Sequence, residues 1–201
     1  MATIAASAVP AVAPDTVVDL SPISITAIKQ GNNLRNQAIS ATVIDRREAE
    51  RNHIFSAKSA SEIAPNVLIP DYGSRITSTI YVRGLGSRID QPVVGLNVDN
   101  VPILNKNNYD FDIADISRVE MIRGPQSSLF GRNTMGGVFN IYTLSPLSYQ
   151  GTRLMAEYGT GNTMRFSAGH YFKPKSTLGI SLTAQYGSSD GFFTNEFNGE
   201  N

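Results

Sequence analysis

Cysteine is absent from the 201-residue chain. Its absence excludes disulfides and thiolate metal sites, and it leaves the redox compartment undetermined. The only two histidines, His53 and His170, are isolated from each other, which excludes a cluster of histidine metal ligands. No apolar run approaches about 20 residues, so the sequence predicts no transmembrane helix.

The chain also lacks an excess of positive or negative charge. The 17 Lys+Arg residues equal the 17 Asp+Glu residues, and no basic run follows the pattern of a phosphate-binding surface. We therefore expect no nucleic-acid partner. A composition of 41% hydrophobic and 17% charged residues is typical of a chain that folds around a packed core.

The first 34 residues differ in composition from the rest of the chain. Residues 1–13 are small and apolar and end in Ala11-Val12-Ala13, a signal-peptidase pattern, but they lack a basic start. We interpret them as part of a signal peptide; a disordered alanine-rich start is the alternative. Residues 14–34 are β-prone and contain Pro22 and, near their end, Gly31-Asn32-Asn33, which predicts an extended tether.

Residues 35–146 alternate short β runs with short helical runs and predict a small mixed α/β domain. The predicted strands are 38–45, 79–84, 92–101, 117–124 and 136–143, and the predicted helical turns are 46–54 and 57–64.

Residues 147–201 follow a strict period of two. In 178–187 the apolar row is Leu178, Ile180, Leu182, Ala184 and Tyr186, and the segments 153–158 and 163–172 alternate in the same way. A strand of about 10 residues is long enough to cross a bilayer when tilted. A soluble meander with one solvated face is the alternative.

One stretch, residues 118–143, combines a strand, an Arg-Gly-Pro corner, a short turn and a Gly-Gly strand. Glycines 124, 136 and 137 allow backbone geometry and close approach that a Cβ would prevent. The stretch resembles the hallmark of the plug domain of TonB-dependent outer-membrane receptors. Three further motifs of that family precede it in order: Ser61–Val67 resembles the helix and "PGV" segment, Ile80–Gly84 the "IRG" strand and Val98–Pro102 the "VDGVP" turn.

Two departures from these motifs are conformationally mild. Asn66 and Asn100 stand where the family has glycine, and asparagine enters the left-handed region at modest cost.

The resemblance implies the fold and the function. It implies an α+β plug domain, a small mixed sheet with short helices, followed by the first antiparallel strands of a transmembrane β-barrel that this chain leaves incomplete. It further implies a receptor, not an enzyme, that takes up a scarce substrate such as an iron-siderophore complex across the outer membrane of a Gram-negative bacterium. TonB, with its inner-membrane motor complex, is the implied partner, the cargo is a small molecule such as a metal chelate, and no cofactor is expected.

The same resemblance assigns roles to individual residues. Arg83 and Arg123 match arginines that pair with acidic groups on the barrel wall, a task suited to a guanidinium because it stays charged and grips a carboxylate through two bonds. The TonB-binding candidates are Asp15, Thr16, Val17 and Val18, or Ile23, Ile25 and Thr26. The apical-loop candidates for substrate contact are Arg88, Asp90, Gln91, Asn105, Lys106 and Tyr109.

Two loops come near other binding motifs but lack residues that those motifs require. The loop 131–137 has phosphate-loop glycine spacing but lacks the Lys-Ser/Thr pair, and residues 105–112 lack the glycine and the acidic twelfth ligand of a calcium loop. A barrel around a plug needs about 22 strands, so we expect this chain to be the N-terminal piece of a larger receptor. The alternative is a free-standing periplasmic plug-like module that binds TonB or ligand without transport; it should bury the Leu178, Ile180 and Leu182 row.

Overall fold

The computed structural model of the chain describes residues 39–70, 72–73, 78–87 and 91–190. The predicted signal peptide and tether, residues 1–34, lie outside the described residues, as do Arg88 and Asp90. Within the described part, ten strands and three α-helices form two main sheets and one small ladder. The strands are β1 (Ser40–Asp45), β2 (Val67–Leu68), β3 (Tyr81–Val82), β4 (Val94–Val98), β5 (Val101–Ile103), β6 (Ile116–Arg123), β7 (Gly137–Thr143), β8 (Gly151–Gly159), β9 (Thr163–Lys175) and β10 (Leu178–Ser188); the helices are α1 (Arg46–Arg51), α2 (Ala57–Ile63) and α3 (Ser127–Phe130).

The N-terminal domain is built on a five-stranded sheet in the order β1-β6-β7-β4-β5. Strands β4 and β7 run parallel, and the other neighbours are antiparallel, so the sheet is mixed as predicted. Register places Ile44, Val119 and Ile141 side by side on one face, each 1% exposed or less. That face packs against the buried alanines of α1 and α2, and small side chains there let the helices lie close to the sheet.

The helices are too short to form alone and depend on their ends. The Asp45 carboxylate accepts a hydrogen bond from the Glu48 backbone N–H at 2.8 Å, which caps α1. At α2 the Ser56 hydroxyl accepts from the Ser59 N–H at 3.2 Å, and the Ser59 hydroxyl accepts from the Ser56 N–H at 3.0 Å. These reciprocal bonds satisfy the free N–H groups of the first turn and fix where each helix begins.

Turn residues explain how the chain reverses in little space. Asn66 has φ of 61° and Asn100 has φ of 67°, which confirms that both asparagines take the left-handed conformation expected at the family's glycine positions. Gly137, at the start of β7, has φ of 154°, and a Cβ there would lie 2.5 Å from the Ile122 carbonyl oxygen. The close approach of β6 and β7 therefore requires glycine at this position.

Strands β8, β9 and β10 form a separate antiparallel sheet in the order β10-β9-β8. The predicted apolar row is exposed, with Leu154 80%, Tyr158 75% and Leu182 75% accessible to solvent. The polar row faces the N-terminal domain, so the alternation predicted from the sequence is confirmed. β8 and β10 each pair on one side within this sheet, so the three strands do not close into a barrel.

Among the described residues, no helix is both long enough and apolar enough to cross a membrane.

Candidate functional site

Arg123, at the end of β6, holds the beginning of β1. Its Nε donates to the Ser40 hydroxyl at 3.0 Å, and its Nη1 donates to the Thr42 hydroxyl at 2.7 Å and to the Pro65 carbonyl at 3.0 Å. All three acceptors are neutral oxygens. Burial lowers the pKa of the Arg123 guanidinium, and the positive charge of Arg83 lowers it further.

Arg83 occupies an unusual backbone position next to this group. Its φ is 51°, in the left-handed region, and its backbone N–H donates to the Asn66 carbonyl at 2.9 Å, while its side chain is exposed. The fold thus brings Arg83 and Arg123, both predicted to pair with the barrel wall, close enough for their charges to interact. Two like charges raise the free energy of the site, and an anionic partner would lower it.

The predicted apical loop contains a 3₁₀ turn, Lys106–Asn108. The Asn105 carboxamide oxygen caps that turn by accepting from the Asn107 N–H at 3.0 Å, and Ser78 donates its hydroxyl to the Lys106 carbonyl at 2.8 Å. Gln91 and Asn105 are exposed and Lys106 is half-buried, so three of the predicted contact residues lie at the surface of the domain.

Tyr109 differs from the other predicted contacts because it is a core residue. Its side chain is 2% exposed, and its hydroxyl donates to the Val94 carbonyl at 3.2 Å. Burial raises the pKa of Tyr109 to about 12. We therefore remove Tyr109 from the predicted contact set. The signal was present in the sequence, because Tyr109, Phe111 and Ile113 alternate with polar residues and all three pack into the domain core.

Asp99 ties the β4–β5 turn to the end of β7. Its carboxylate accepts from the Thr143 N–H at 2.8 Å and from the Thr143 hydroxyl at 2.6 Å, while its own N–H donates to the Ile141 carbonyl at 2.9 Å. The acidic residue of the "VDG" motif is therefore structural here. It satisfies the Thr143 N–H just beyond the last residue pair of the β4–β7 ladder.

A polar interface between the N-terminal domain and the strand sheet was not predicted. Arg165 Nη2 lies 3.8 Å from the Asp112 carboxylate, its guanidinium lies 4.2 Å over the Phe55 ring, and Gln185 donates to the Asp112 carbonyl at 2.9 Å. The signal for it was the presence of charged residues, Arg153, Glu157 and Arg165, in the polar row of β8 and β9. Such side chains need partners of opposite charge when a face becomes buried.

Comparison with known proteins identifies the domain. Residues 33–138 match the TonB-dependent Receptor Plug Domain family. The chain belongs to this family. The resemblance inferred from its four motifs is confirmed, as is the expected fold of a mixed plug sheet followed by antiparallel strands.

Sequence relatives of the plug domain are receptors. The chain is 34% identical over 131 residues to the pesticin receptor of Yersinia enterocolitica, a match that covers 64% of the chain, and it is equally identical to the pesticin receptor of Yersinia pestis. The match covers 19% of each receptor, so the chain spans about a fifth of the curated relatives it matches. These relatives are receptors and not enzymes, as expected.

Solved structures agree with this assignment. The ferric yersiniabactin uptake receptor of Yersinia pestis superposes with a TM-score of 0.71 at 29% identity, covering 81% of the chain and 26% of that receptor. The ferripyoverdine receptor of the outer membrane of Pseudomonas aeruginosa gives a TM-score of 0.71 at 17% identity, over 86% of the chain and 23% of that receptor. The second likeness shows the fold alone.

Three of the four plug motifs meet at one corner of the plug domain. The "PGV" segment supplies the Pro65 and Asn66 carbonyls, the "IRG" segment supplies the Arg83 N–H, and the Arg-Gly-Pro segment supplies the Arg123 guanidinium. This corner adjoins the start of β1, where the chain enters the domain from residues 1–38.

Proposed function

We propose that the chain is the plug-bearing part of an outer-membrane receptor for TonB-energised uptake of a ferric siderophore, with the plug gating the barrel. The main support for this proposal is the arrangement of the strand sheet, which turns a polar row toward the plug domain and an apolar row outward. Likeness to the ferric yersiniabactin uptake receptor at 29% identity supports the substrate class. In this proposal residues 1–13 are a signal peptide, 14–34 a tether, 35–146 the plug and 147–201 the first barrel strands.

The outward row favours this function over a free-standing binding module. A soluble module should bury Leu178, Ile180 and Leu182, but these side chains are 49%, 40% and 75% exposed, with no cover from the described residues. Exposing a continuous apolar row to water is unfavourable by about 25 cal/mol for each Å². Lipid contact removes that cost, so we place the protein in the outer membrane with its N-terminus in the periplasm.

Fractionation and uptake test the proposal together. Iron-starved cells with and without the gene are separated into periplasm and outer membrane to locate the protein. In intact cells of both strains, uptake of iron-55 yersiniabactin and of a panel of other ferric siderophores is measured. We expect the protein in the outer membrane, and uptake of at least one chelate that requires both the gene and TonB. Protein in the periplasm would support the binding module, and unchanged uptake of every chelate would refute the substrate class.

The tether offers two candidate TonB-binding segments, Asp15–Val18 and Ile23–Thr26. An extended segment binds a partner strand through backbone hydrogen bonds, so a proline inside the true segment removes a donor and blocks strand addition. We expect either V17P or I25P to abolish uptake while the matched alanine variant retains it. If both proline variants transport normally, TonB binds elsewhere.

We propose that Arg83 and Arg123 bind an acidic group of the barrel wall. Their mutual repulsion and the partial burial of Arg123 support this, because both make a nearby carboxylate favourable. Lysine keeps the charge but lacks the planar guanidinium, so R83K and R123K should each weaken plug retention less than alanine does. Equal effects of lysine and alanine would show that charge has no part in the interaction.

The proposed substrate contacts are the surface residues Gln91, Asn105 and Lys106, together with Arg88 and Asp90. K106Q removes one positive charge without disturbing the Asn105 cap, and it should weaken binding of an anionic ferric chelate. Unchanged affinity in a fluorescence-quenching titration with ferric yersiniabactin would exclude Lys106 as a contact for that chelate.

A further inference from the structure

One polar pair interrupts the outward apolar face of the strand sheet. His170 Nδ1 in β9 lies 2.9 Å from the Thr152 hydroxyl in β8, and the two residues are opposite each other in the register of these strands. Both side chains are exposed, and they share a face with Leu154 and Leu182. The pair therefore faces away from the plug domain and takes no part in the contact with it.

His170 has a second ring nitrogen, Nε2, which has no hydrogen-bond partner among the described residues. A Thr152 hydroxyl that donates to Nδ1 selects the tautomer in which Nε2 carries the proton, so Nε2 is a donor. The Phe172 ring, with its centroid 5.7 Å from that of His170, offers no acceptor oxygen. In the proposed membrane location this donor lies in a lipid-facing row where water is absent, so it needs an acceptor from a lipid.

The pair lies where the apolar row of β8 ends. Thr152 is the second residue of β8, and the apolar row of that strand begins at Leu154. On β10 the apolar row extends past the residue opposite His170 to Ile180 and Leu178. Because the strands of a barrel are tilted, a membrane boundary crosses successive strands at shifted positions, and here it passes close to His170. The lipid acceptors that meet Nε2 are therefore those of the headgroup region.

Two lysines give this end of β9 a positive charge. Lys173 and Lys175 follow His170 on the same strand, and both are exposed. Lys173 Nζ donates to the Leu147 carbonyl at 3.4 Å, a neutral partner that leaves the charge of the ammonium group uncompensated. Basic side chains at a membrane surface attract anionic headgroups. A phosphate fits this end of the strand because it combines negative charge with hydrogen-bond acceptors.

An open apolar groove begins beside His170 on the outward face. Its volume is about 510 Å³, within the range of small-molecule sites. Ala168 lies two residues from His170 on the same face of β9, about 7 Å along the strand, and leads away from the lysines. Small side chains form the floor of the groove and larger apolar ones its walls: Ala156, Ala168 and Ala184, and Leu154, Phe166 and Tyr186. The groove thus offers an apolar path from the headgroup region toward the membrane interior.

We propose that the outward face of the strand sheet holds a binding site for one anionic glycerophospholipid. The lipid phosphate accepts a hydrogen bond from His170 Nε2, and one acyl chain lies in the groove over Ala168. Thr152 is a positioning residue, because its hydroxyl sets which nitrogen of His170 carries the proton. A phospholipid fits better than a lipopolysaccharide, because the groove takes a single chain beside a single donor. This inference rests on the proposed location in the outer membrane.

Lipid titration of the purified full receptor, read by native mass spectrometry, tests the site. The probes are dioleoylphosphatidylglycerol, dioleoylglycerol, which lacks the phosphate, and lipid A. We expect phosphatidylglycerol to bind more tightly than dioleoylglycerol. H170F keeps an aromatic ring without its nitrogens and should weaken phosphatidylglycerol binding about tenfold. Equal affinity for the two diacyl lipids would overturn recognition of the phosphate, and tighter binding of lipid A that is lost in H170F would overturn the phospholipid as occupant.

Further variants separate the role of Thr152 from that of the groove. T152V removes the hydroxyl at nearly constant volume and should weaken phosphatidylglycerol binding, whereas T152S keeps a hydroxyl and should preserve it. A168L fills the groove, so it should weaken binding of the dioleoyl lipid more than binding of dihexanoylphosphatidylglycerol, whose chains are short.

The matched control is Y158F, which removes a hydroxyl from the same face near the other end of β8 and should bind phosphatidylglycerol as the unchanged receptor does. Equal affinity of H170F, T152V and Y158F would overturn the lipid site even if uptake is confirmed. A receptor that binds phosphatidylglycerol through His170 but transports no ferric chelate would refute only the proposed function.

Discussion

Replacing Gly137 by alanine tests whether the close approach of β6 and β7 determines the stability of the plug sheet. The added Cβ would lie 2.5 Å from the Ile122 carbonyl oxygen, which belongs to the backbone and cannot rotate away. Its φ of 154° is also unfavourable for an L residue. Both effects act on the pairing between β6 and β7, two interior strands of the sheet.

The magnitude follows from two separate contributions. A sparsely populated backbone conformation costs about 1–3 kcal/mol, and forcing an extra methyl group into packed structure costs about 1–3 kcal/mol more. Their sum, about 2–6 kcal/mol, is a large fraction of the 5–15 kcal/mol, roughly, that keeps a domain folded. G131A is the matched control, because Gly131 has φ of 73° but no atom within 4 Å of its added Cβ.

Hydrogen exchange of the β6 and β7 amides in the full receptor measures the difference. G131A bears only the backbone contribution, so the amides of G137A should exchange about 5- to 150-fold faster than those of G131A, the factor that about 1–3 kcal/mol produces. Equal protection in the two variants would refute the reasoning. It would mean that the strands separate slightly to accept the methyl group at no cost.

Two other buried polar groups give distinct predictions. Asn97 Nδ2 donates to Asn140 Oδ1 at 2.7 Å, so N97L should destabilise the sheet by about 1–3 kcal/mol and N97L/N140L should recover most of the loss, as measured by exchange of the β4 amides. Y109F should leave chelate affinity unchanged. Because burial raises the pKa of Tyr109 from 10.0 to about 12, its contribution to stability is complete below pH 10 and is lost as pH rises toward 12; Y109F should remove that alkaline loss in a pH titration of exchange protection.

Most of the fold could be predicted from local sequence patterns. The period of two in β8–β10 identified both faces of the strand sheet, because a strand's side chains alternate whatever the rest of the chain does. Asn66 and Asn100 were correctly assigned to left-handed turns because asparagine's conformational preference is intrinsic. Tyr109 was misassigned because loop position was weighed above the alternation of Tyr109 with Phe111.

The charged contacts among Arg46, Glu50, Asp115 and Arg153 show what the sequence alone could not supply. These residues come from α1, the residue before β6, and strand β8 of the other sheet. No spacing rule links Arg46 to Arg153, since their contact through Glu50 depends on how the strand sheet lies against the plug domain. Charged residues at isolated positions become a network only when tertiary packing buries them together.

The neutral partners of Arg123 show how its proposed contact with the barrel wall relates to its hold on β1. A guanidinium has five N–H donors, and the contacts of Arg123 with the described residues use Nε and Nη1. A carboxylate can therefore bind at Nη2 while Ser40 and Thr42 stay bound, so barrel pairing and retention of β1 are compatible. It follows that a barrel carboxylate would strengthen the hold on β1 by fixing the guanidinium, and that losing the carboxylate would weaken that hold.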